Sequence, residues 1–284
     1  MVKIISDSTS DLSKELIEKY NITILPLHIL LGDNEYEDGI NVTPQEIFTW
    51  SDQNKSTPKT SAPSIEDAME LFKNELENAS ELVVFTISED MSTSANVCRM
   101  AAEELEAEDK IHIINSMNLS TGIGLTVIEA AIMAKDGKCA KEIVEYVNEI
   151  IPQVRASFVV DTLEYLYRGG RCSGLSAMIG TAMKLHPRIV VNSGKMSSDK
   201  KYRGKMKSVI MSYVKDLESE LLTAKKDRVF ITHSSIDKDI VDEVRSYLNS
   251  LNKFDEVLET TAGGVISSHC GPGTLGVLFI SDAK

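Results

Sequence analysis

The residues best suited to chemistry lie in three turns rich in glycine and hydroxyl side chains. In Gly263-Gly264-Val265-Ile266-Ser267-Ser268-His269-Cys270-Gly271-Pro272-Gly273, four glycines and a proline surround one histidine within eleven positions. Glycine tolerates positive φ and lets backbone or ligand come close, so the cluster predicts a constrained loop that holds His269 in place. The plainer alternative is a turn between two strands with an incidental histidine. A second turn, Thr60-Ser61-Ala62-Pro63-Ser64, puts two hydroxyls before a proline and a helix start. Ser64 is explained as the helix cap; Thr60 and Ser61 are not, and the unpaired amides of a helix N-terminus favour an anion nearby. An ordinary polar loop is the alternative there. The third, Ser88-Glu89-Asp90-Met91-Ser92-Thr93-Ser94-Ala95, follows an apolar run at 82–87. Hydroxyls at the carboxyl end of a strand occupy the crevice where open α/β sheets bind ligands, although one of them is needed as an N-cap in any case. A related hydroxyl loop spans 116–124, where Gly122 and Gly124 allow close helix packing. Imidazole and hydroxyl donors together suit a carboxylate or a phosphate.

Other chemistries find less support. His28, His112, His186, His233 and His269 are too scattered for metal-ligand spacing, and His233, closing a strand, reads as structural. There is no GxxxxGK[ST] loop and no GxGxxG after a strand, so nucleotide binding has no motif. Ser92 with His269 could form a nucleophile and base, oriented by Asp7 or Asp161, as in a serine-dependent acyl hydrolase. No GxSxG elbow accompanies them. Arg168 and Arg171 flank two glycines; a guanidinium there suits a phosphate or a partner, and solvated arginines at a tight corner are the alternative.

Composition narrows the partners. The 284 residues are 42% hydrophobic and 26% charged, with a net charge of −13, which disfavours nucleic acid and anionic membrane surfaces. Lys200, Lys201, Arg203, Lys205 and Lys207 form a local basic run that a solvated hairpin edge explains. No apolar stretch approaches the ~18 residues that would span a bilayer, Met1 leads straight into a strand-like segment, and four cysteines show no CxxC spacing. The expectation is a soluble, reduced, cytoplasmic protein with no metal and no resident cofactor.

The elements that must position these turns follow from periodicity. In the first half, strand-like runs at 2–6, 23–31, 81–87 and 111–114 alternate with helical patterns at 13–20, 92–105, 119–135 and 140–151. Two more helices open at Thr43, with Pro44 and Glu46 completing a capping box, and at Ser64, with an apolar stripe of Ile65, Ala68, Met69, Phe72 and Leu76. Such alternation predicts a mainly parallel sheet covered on both faces. From Arg155 the rhythm changes. A strand at 157–161 precedes two short helices flanking Arg168-Gly169-Gly170-Arg171, and a hairpin-like pair surrounds Asn192-Ser193-Gly194-Lys195. A helix at 206–224, a strand at 228–233, a helix at 238–251 and two further strands complete it. A boundary near 152–156 divides the chain into α/β domains 1–154 and 155–284, packed closely because no low-complexity linker separates them.

Ser6-Asp7-Ser8-Thr9-Ser10-Asp11-Leu12, the Thr60 turn, the Ser88 segment running on to Asn96, Thr162-Leu163-Glu164-Tyr165-Leu166-Tyr167-Arg168-Gly169-Gly170-Arg171 and the His269 stretch together resemble the DegV family. They do so in the family's order and over nearly the whole chain. The family's members are bacterial fatty-acid-binding proteins, including the acyl-carrying subunit of fatty acid kinase. The resemblance implies two α/β domains with a lipid tunnel between them. It places a long-chain fatty-acid carboxylate on Thr60, Ser61, Ser92 with Thr93 beside it, and His269. It also implies a non-catalytic carrier that presents the acid to a separate ATP-dependent kinase, feeding phospholipid metabolism and meeting membranes only transiently. The chain departs from the usual pattern at Ala62, where glutamine is frequent, at Thr93, often glycine, at Cys172, commonly aliphatic, and at His186, usually lysine. Physically, each buried methylene contributes ~0.8 kcal/mol, so about sixteen carbons give roughly 12 kcal/mol of gross driving force. Hydroxyl donors and a helix N-terminus offset the desolvation of the carboxylate.

Overall fold

The computed structural model describes residues 1–173 and 185–282. In chain order, β1 (Val2–Asp7) passes through a 3-10 turn, Ser8–Ser10, into α1 (Lys14–Lys19), β2 (Thr23–Leu25), β3 (His28–Leu31), β4 (Asn34–Glu37) and α2 (Pro44–Asn54). Next come β5 (Lys59–Ser61), α3 (Ile65–Leu76), β6 (Glu81–Thr86), α4 (Ser94–Glu104), β7 (Ile111–Asn115), α5 (Thr121–Lys135) and α6 (Ala140–Ile150). The second half holds β8 (Val154–Val159), α7 (Glu164–Gly169), β9 (Cys172–Ser173), β10 (Leu185–Asn192), β11 (Lys195–Arg203), α8 (Met206–Asp216), α9 (Glu218–Leu221) and β12 (Ala224–Ser234). It ends with α10 (Lys238–Ser250), β13 (Glu256–Thr261), α11 (Gly264–Cys270) and β14 (Thr274–Ser281). One of the two short helices expected around Arg168 to Arg171 is α7; the other falls within 174–184, outside the described residues.

The described residues form an α/β fold with three sheets. β2-β1-β6-β7 is all parallel, β4-β3-β5 is antiparallel, and β13-β12-β14-β8-β10-β11-β9 is mixed. The first half is therefore not one parallel sheet. The extended run at 23–31 breaks at Pro26, which has no N–H to give a ladder, so β2 joins the parallel sheet and β3 the antiparallel one. The expected helix at 206–224 also divides. Val214, Leu217, Leu221 and Ala224 are all buried at helical spacing, and no glycine or proline marks the point where α9 gives way to β12. The capping boxes at Thr43 with Glu46 and at Ser64 with Asp67 form as the sequence predicts.

At the centre lies α5, in which every residue from Thr121 to Val127 is buried. A helix apolar all round has to be enclosed. This one packs on β1 and β6 from one side and on β8 and β14 from the other. One continuous apolar cluster runs from Ile4 and Phe85 through Ile123 and Ile128 to Phe158, Phe230 and Leu278. Gly124 is what lets α5 approach the 3-10 turn: a Cβ there would meet Leu12 at 2.8 Å and the Ser10 carbonyl at 3.1 Å. Two polar links tie α5 to β12, a Thr121–Thr232 hydroxyl bond of 2.7 Å and an ion pair between Glu129 and Arg228.

Candidate functional site

The stretch expected to be a loop around His269 is the short helix α11. Its glycines stand where caps belong: Gly263 is the N-cap, and Gly271, with φ of 77°, ends it. Two buried carboxylates hold the N-terminus. Asp11 Oδ1 accepts from the Gly263 amide at 2.8 Å, and Asp38 Oδ1 accepts from the Gly264 amide at 2.6 Å, as the positive end of a helix favours. Ser120 donates to Asp11 at 2.5 Å and Ser8 to Asp38 at 2.8 Å. A Cβ at 264 would meet Ile29 Cδ1 at 2.5 Å and Asp38 Oδ1 and Ile47 Cδ1 at 2.9 Å, so those buried side chains would have to shift. A third carboxylate, Asp7, accepts from Thr9 and from the Ile87 amide at 2.8 Å, fixing the start of the Ser88 turn to the end of β1. Burial, outweighing these bonds, pushes Asp7 up to about 6 and raises Asp11 and Asp38 as well.

At the other end of α11, His269 Nε2 lies 2.7 Å from Thr60 Oγ1, next to the end of β5. Burial, with a smaller contribution from the nearby Arg171 guanidinium, lowers its pKa to about 4, so the imidazole is neutral at physiological pH. Arg171 donates to the carbonyls of Gly169, at 2.6 Å, and Met91, at 3.4 Å. No carboxylate pairs with it among the described residues. Ser92 Oγ accepts from the Ser94 amide at 3.2 Å and shares a 2.9 Å bond with Ser94 Oγ. Helix α4 accordingly starts two residues later than the expected 92, and its N-cap, Thr93, makes no side-chain cap bond.

These groups face one cavity of about 470 Å³, within the range of small-molecule sites. It brings together Thr60, Ser61, Ser92, Thr93, Arg171 and His269 with apolar walls from Leu27, Ile87, Met91, Leu119, Met196 and Ile266. Leu119, Ile266 and Cys270 also border a smaller, almost wholly apolar chamber against Phe158 and Leu278. Contacts chain the polar groups into a cluster: Thr60 to His269, His269 beside Gly169, Gly169 to Arg171, and Arg171 to Met91 next to Ser92. Arg168 does not join it; it pairs with Glu164 at 2.6 Å on a different surface pocket with Ser51 and Lys55. Asp7 is engaged with Thr9 and Ile87, and Asp161 lies near His186 at 3.6 Å, so neither orients His269. His233 bonds Glu259 at 3.2 Å, a structural role. Among the described residues no group of acids, histidines and cysteines could hold a metal, and no helix is long and apolar enough to cross a membrane.

Sequence reasoning missed Asp38 and the apolar walls. Asp38 sits in an acidic stretch, Glu35-Tyr36-Glu37-Asp38, that reads as surface; only its burial distinguishes it. Met91 and Leu119 carried a usable signal, since each lies inside a hydroxyl-rich turn where an apolar residue has no solvent-facing reason to be.

Comparison with known proteins fits this geometry. The model of the family described as "Uncharacterised protein, DegV family" matches residues 1–282. A DegV domain-containing protein of Clostridium acetobutylicum is 32% identical over 286 residues, covering 99% of this chain and 98% of its own, and one from Deinococcus radiodurans is 29% identical over 97% of both. Among solved structures, a DegV family protein from Thermus thermophilus described by its fatty acid binding superposes with a TM-score of 0.90 at 28% identity, over 99% of each chain. A stearic acid-binding protein from Eubacterium ventriosum gives 0.84 at 29% identity, over 99% of this chain and 98% of its own. With a family model spanning residues 1–282 and this set of relatives, the chain belongs to the DegV family.

Proposed function

We propose that this protein holds a long-chain fatty acid in the 470 Å³ cavity, its carboxylate among Thr60, Ser61, Ser92, Thr93 and His269. In this reading it is a carrier without chemistry of its own and presents the acid to a separate ATP-dependent kinase for acyl-phosphate formation. One observation carries it: a cavity with apolar walls also presents the hydroxyls of Thr60, Ser61, Ser92 and Thr93, a neutral imidazole and a guanidinium that no carboxylate pairs with among the described residues, while its one acidic lining residue, Glu89, is paired with Arg99. That division matches an amphiphile with one acidic end. The fatty acid and stearic acid named for the two structural relatives support it. Arg171, at the cavity, and Arg168, outside it, are the proposed contacts for the kinase or the transferred phosphate.

Protein purified from bacteria should carry roughly one equivalent of a C14–C18 acid, read by native mass spectrometry and by organic extraction. Empty protein that also fails to take up added palmitate would overturn the reading. Ser92→Ala and His269→Ala should each weaken palmitate binding by about 10- to 150-fold, the loss of one bond to a charged group, whereas Ser246→Ala on the remote α10 should not. With ATP, Mg²⁺ and palmitate alone no acyl phosphate should form; a cognate kinase should supply it, and Arg171→Ala should lower that rate more than it lowers binding.

The hydrolase alternative lacks its central contact, since Ser92 bonds Ser94 and His269 bonds Thr60. A serine-directed phosphonate should leave the protein unlabelled.

A further inference from the structure

The two glycines of Arg168-Gly169-Gly170-Arg171 have different reasons to exist. Gly170 caps α7 with a left-handed φ of 68°, which glycine alone adopts freely. Gly169 is the last helical residue of α7 and has no such φ. On helix propensity alone, alanine would be the better residue there. Its reason is spatial: a Cβ on Gly169 would lie 2.4 Å from Nδ1 of His269 and 3.3 Å from Cε1.

The edge of the imidazole turned to Gly169 is also the edge without a hydrogen bond. Nδ1 is buried and unpartnered, and Nε2 is 2.7 Å from Thr60 Oγ1. A buried N–H with no acceptor is rarer and costlier than a bare lone pair, which assigns the single proton of the neutral ring to Nε2. Nε2–H then donates to Thr60 Oγ1, so the Thr60 hydroxyl proton is not used by the histidine. The Gly169 carbonyl meanwhile accepts from Arg171 at 2.6 Å, so one residue places two of the polar groups at the cavity.

We propose that Gly169 is a positioning residue for the anion site: by leaving room for the imidazole edge it seats His269 as the Nε2–H tautomer, whose bond to Thr60 frees the Thr60 hydroxyl to donate to an acidic head group. Only the identity of that head group rests on the fatty-acid reading above.

The test couples melting, tautomer and affinity. Gly169→Ala should lower the melting temperature on the order of 5 °C and weaken palmitate binding at least ~10-fold, the loss of a charged hydrogen bond. In a His269→Ala background the same substitution should cost nothing, because the clashing ring is gone. Equal effects in both backgrounds overturn the proposal. If Gly169→Ala does not fold but the double variant does, the clash is established; if neither folds, the proposal fails. Nitrogen-15 spectra of histidine-labelled protein should show His269 protonated at Nε2, assigned against His269→Ala, and a proton on Nδ1 would refute the relay. Thr60→Ser should keep palmitate affinity while Thr60→Val loses about 10- to 150-fold; equal affinities remove the Thr60 donor. A wild type that binds no palmitate sinks the fatty-acid reading, and the melting cycle and tautomer still decide the role of Gly169.

Discussion

Asp7 and His269 titrate against each other in the same pH window. Asp7 is raised by burial to about 6, so its folded form holds a proton that the unfolded chain gives up near pH 4. Its contribution to stability is complete below pH 4 and is lost as pH rises through 6, a swing of about 3 kcal/mol. His269, lowered by burial to about 4, contributes fully above its unfolded value near 6.5 and loses that contribution as pH falls toward 4. His269 therefore offsets part of the loss that Asp7, together with the likewise raised Asp11 and Asp38, imposes as pH rises. Asp7→Asn removes one of these three carboxylates and leaves the other two in place. The stability difference between wild type and Asp7→Asn, from urea unfolding at successive pH values, should move in favour of the variant by up to about 3 kcal/mol between pH 4 and 7. A difference that stays constant with pH would place Asp7 outside this linkage. At this scale the sequence exposes hydroxyls and histidine, because their types announce hydrogen bonding. It conceals Asp38, whose role comes from a buried amide at Gly264 far along the chain.

Among the elements, α11 is the one most misread from sequence. Its four glycines look like a loop because glycine lowers helix propensity, yet they fall at the two caps and at close contacts where a Cβ would force neighbouring side chains to shift. The general pattern is legible: capping boxes at Thr43 and Ser64, the hairpin at Ser193-Gly194 and the buried strands all follow local rules. What local rules cannot show is that Asp11 and Asp38 hold α11 from elements introduced much earlier in the chain. Gly264→Ala should consequently destabilise the protein by about 1–3 kcal/mol through overpacking on Ile29 and Ile47, measured by chemical denaturation. Gly39→Ala, where a Cβ meets nothing within 4 Å but φ is 77°, separates backbone strain from crowding and should cost less. If the two variants matched, crowding at α11 would not be the reason for Gly264.

For the molecule as a whole, α5 joins the parallel and mixed sheets into a single apolar cluster. The fluorescence of Trp50, the lone tryptophan, in α2, and far-ultraviolet circular dichroism should then report one unfolding midpoint; separated midpoints would mean that the sheets let go independently. The part-buried Glu129–Arg228 pair crosses between α5 and the mixed sheet. Arg228→Met alone should destabilise by removing the cation from the part-buried Glu129 carboxylate, which keeps its bond from Tyr146, and the double variant Glu129→Met with Arg228→Met should recover part of the loss. The place of β14 has a consequence for how the chain is made. It lies between β12 and β8 with all eight residues buried, but the ribosome delivers it after both neighbours. At ~5–20 residues per second, β8 and the flank of α5 wait on the order of ten seconds for the strand that covers them. A chain paused on the ribosome before residue 274 should therefore bind trigger-type chaperones and resist compaction, and it should release them once translation passes β14.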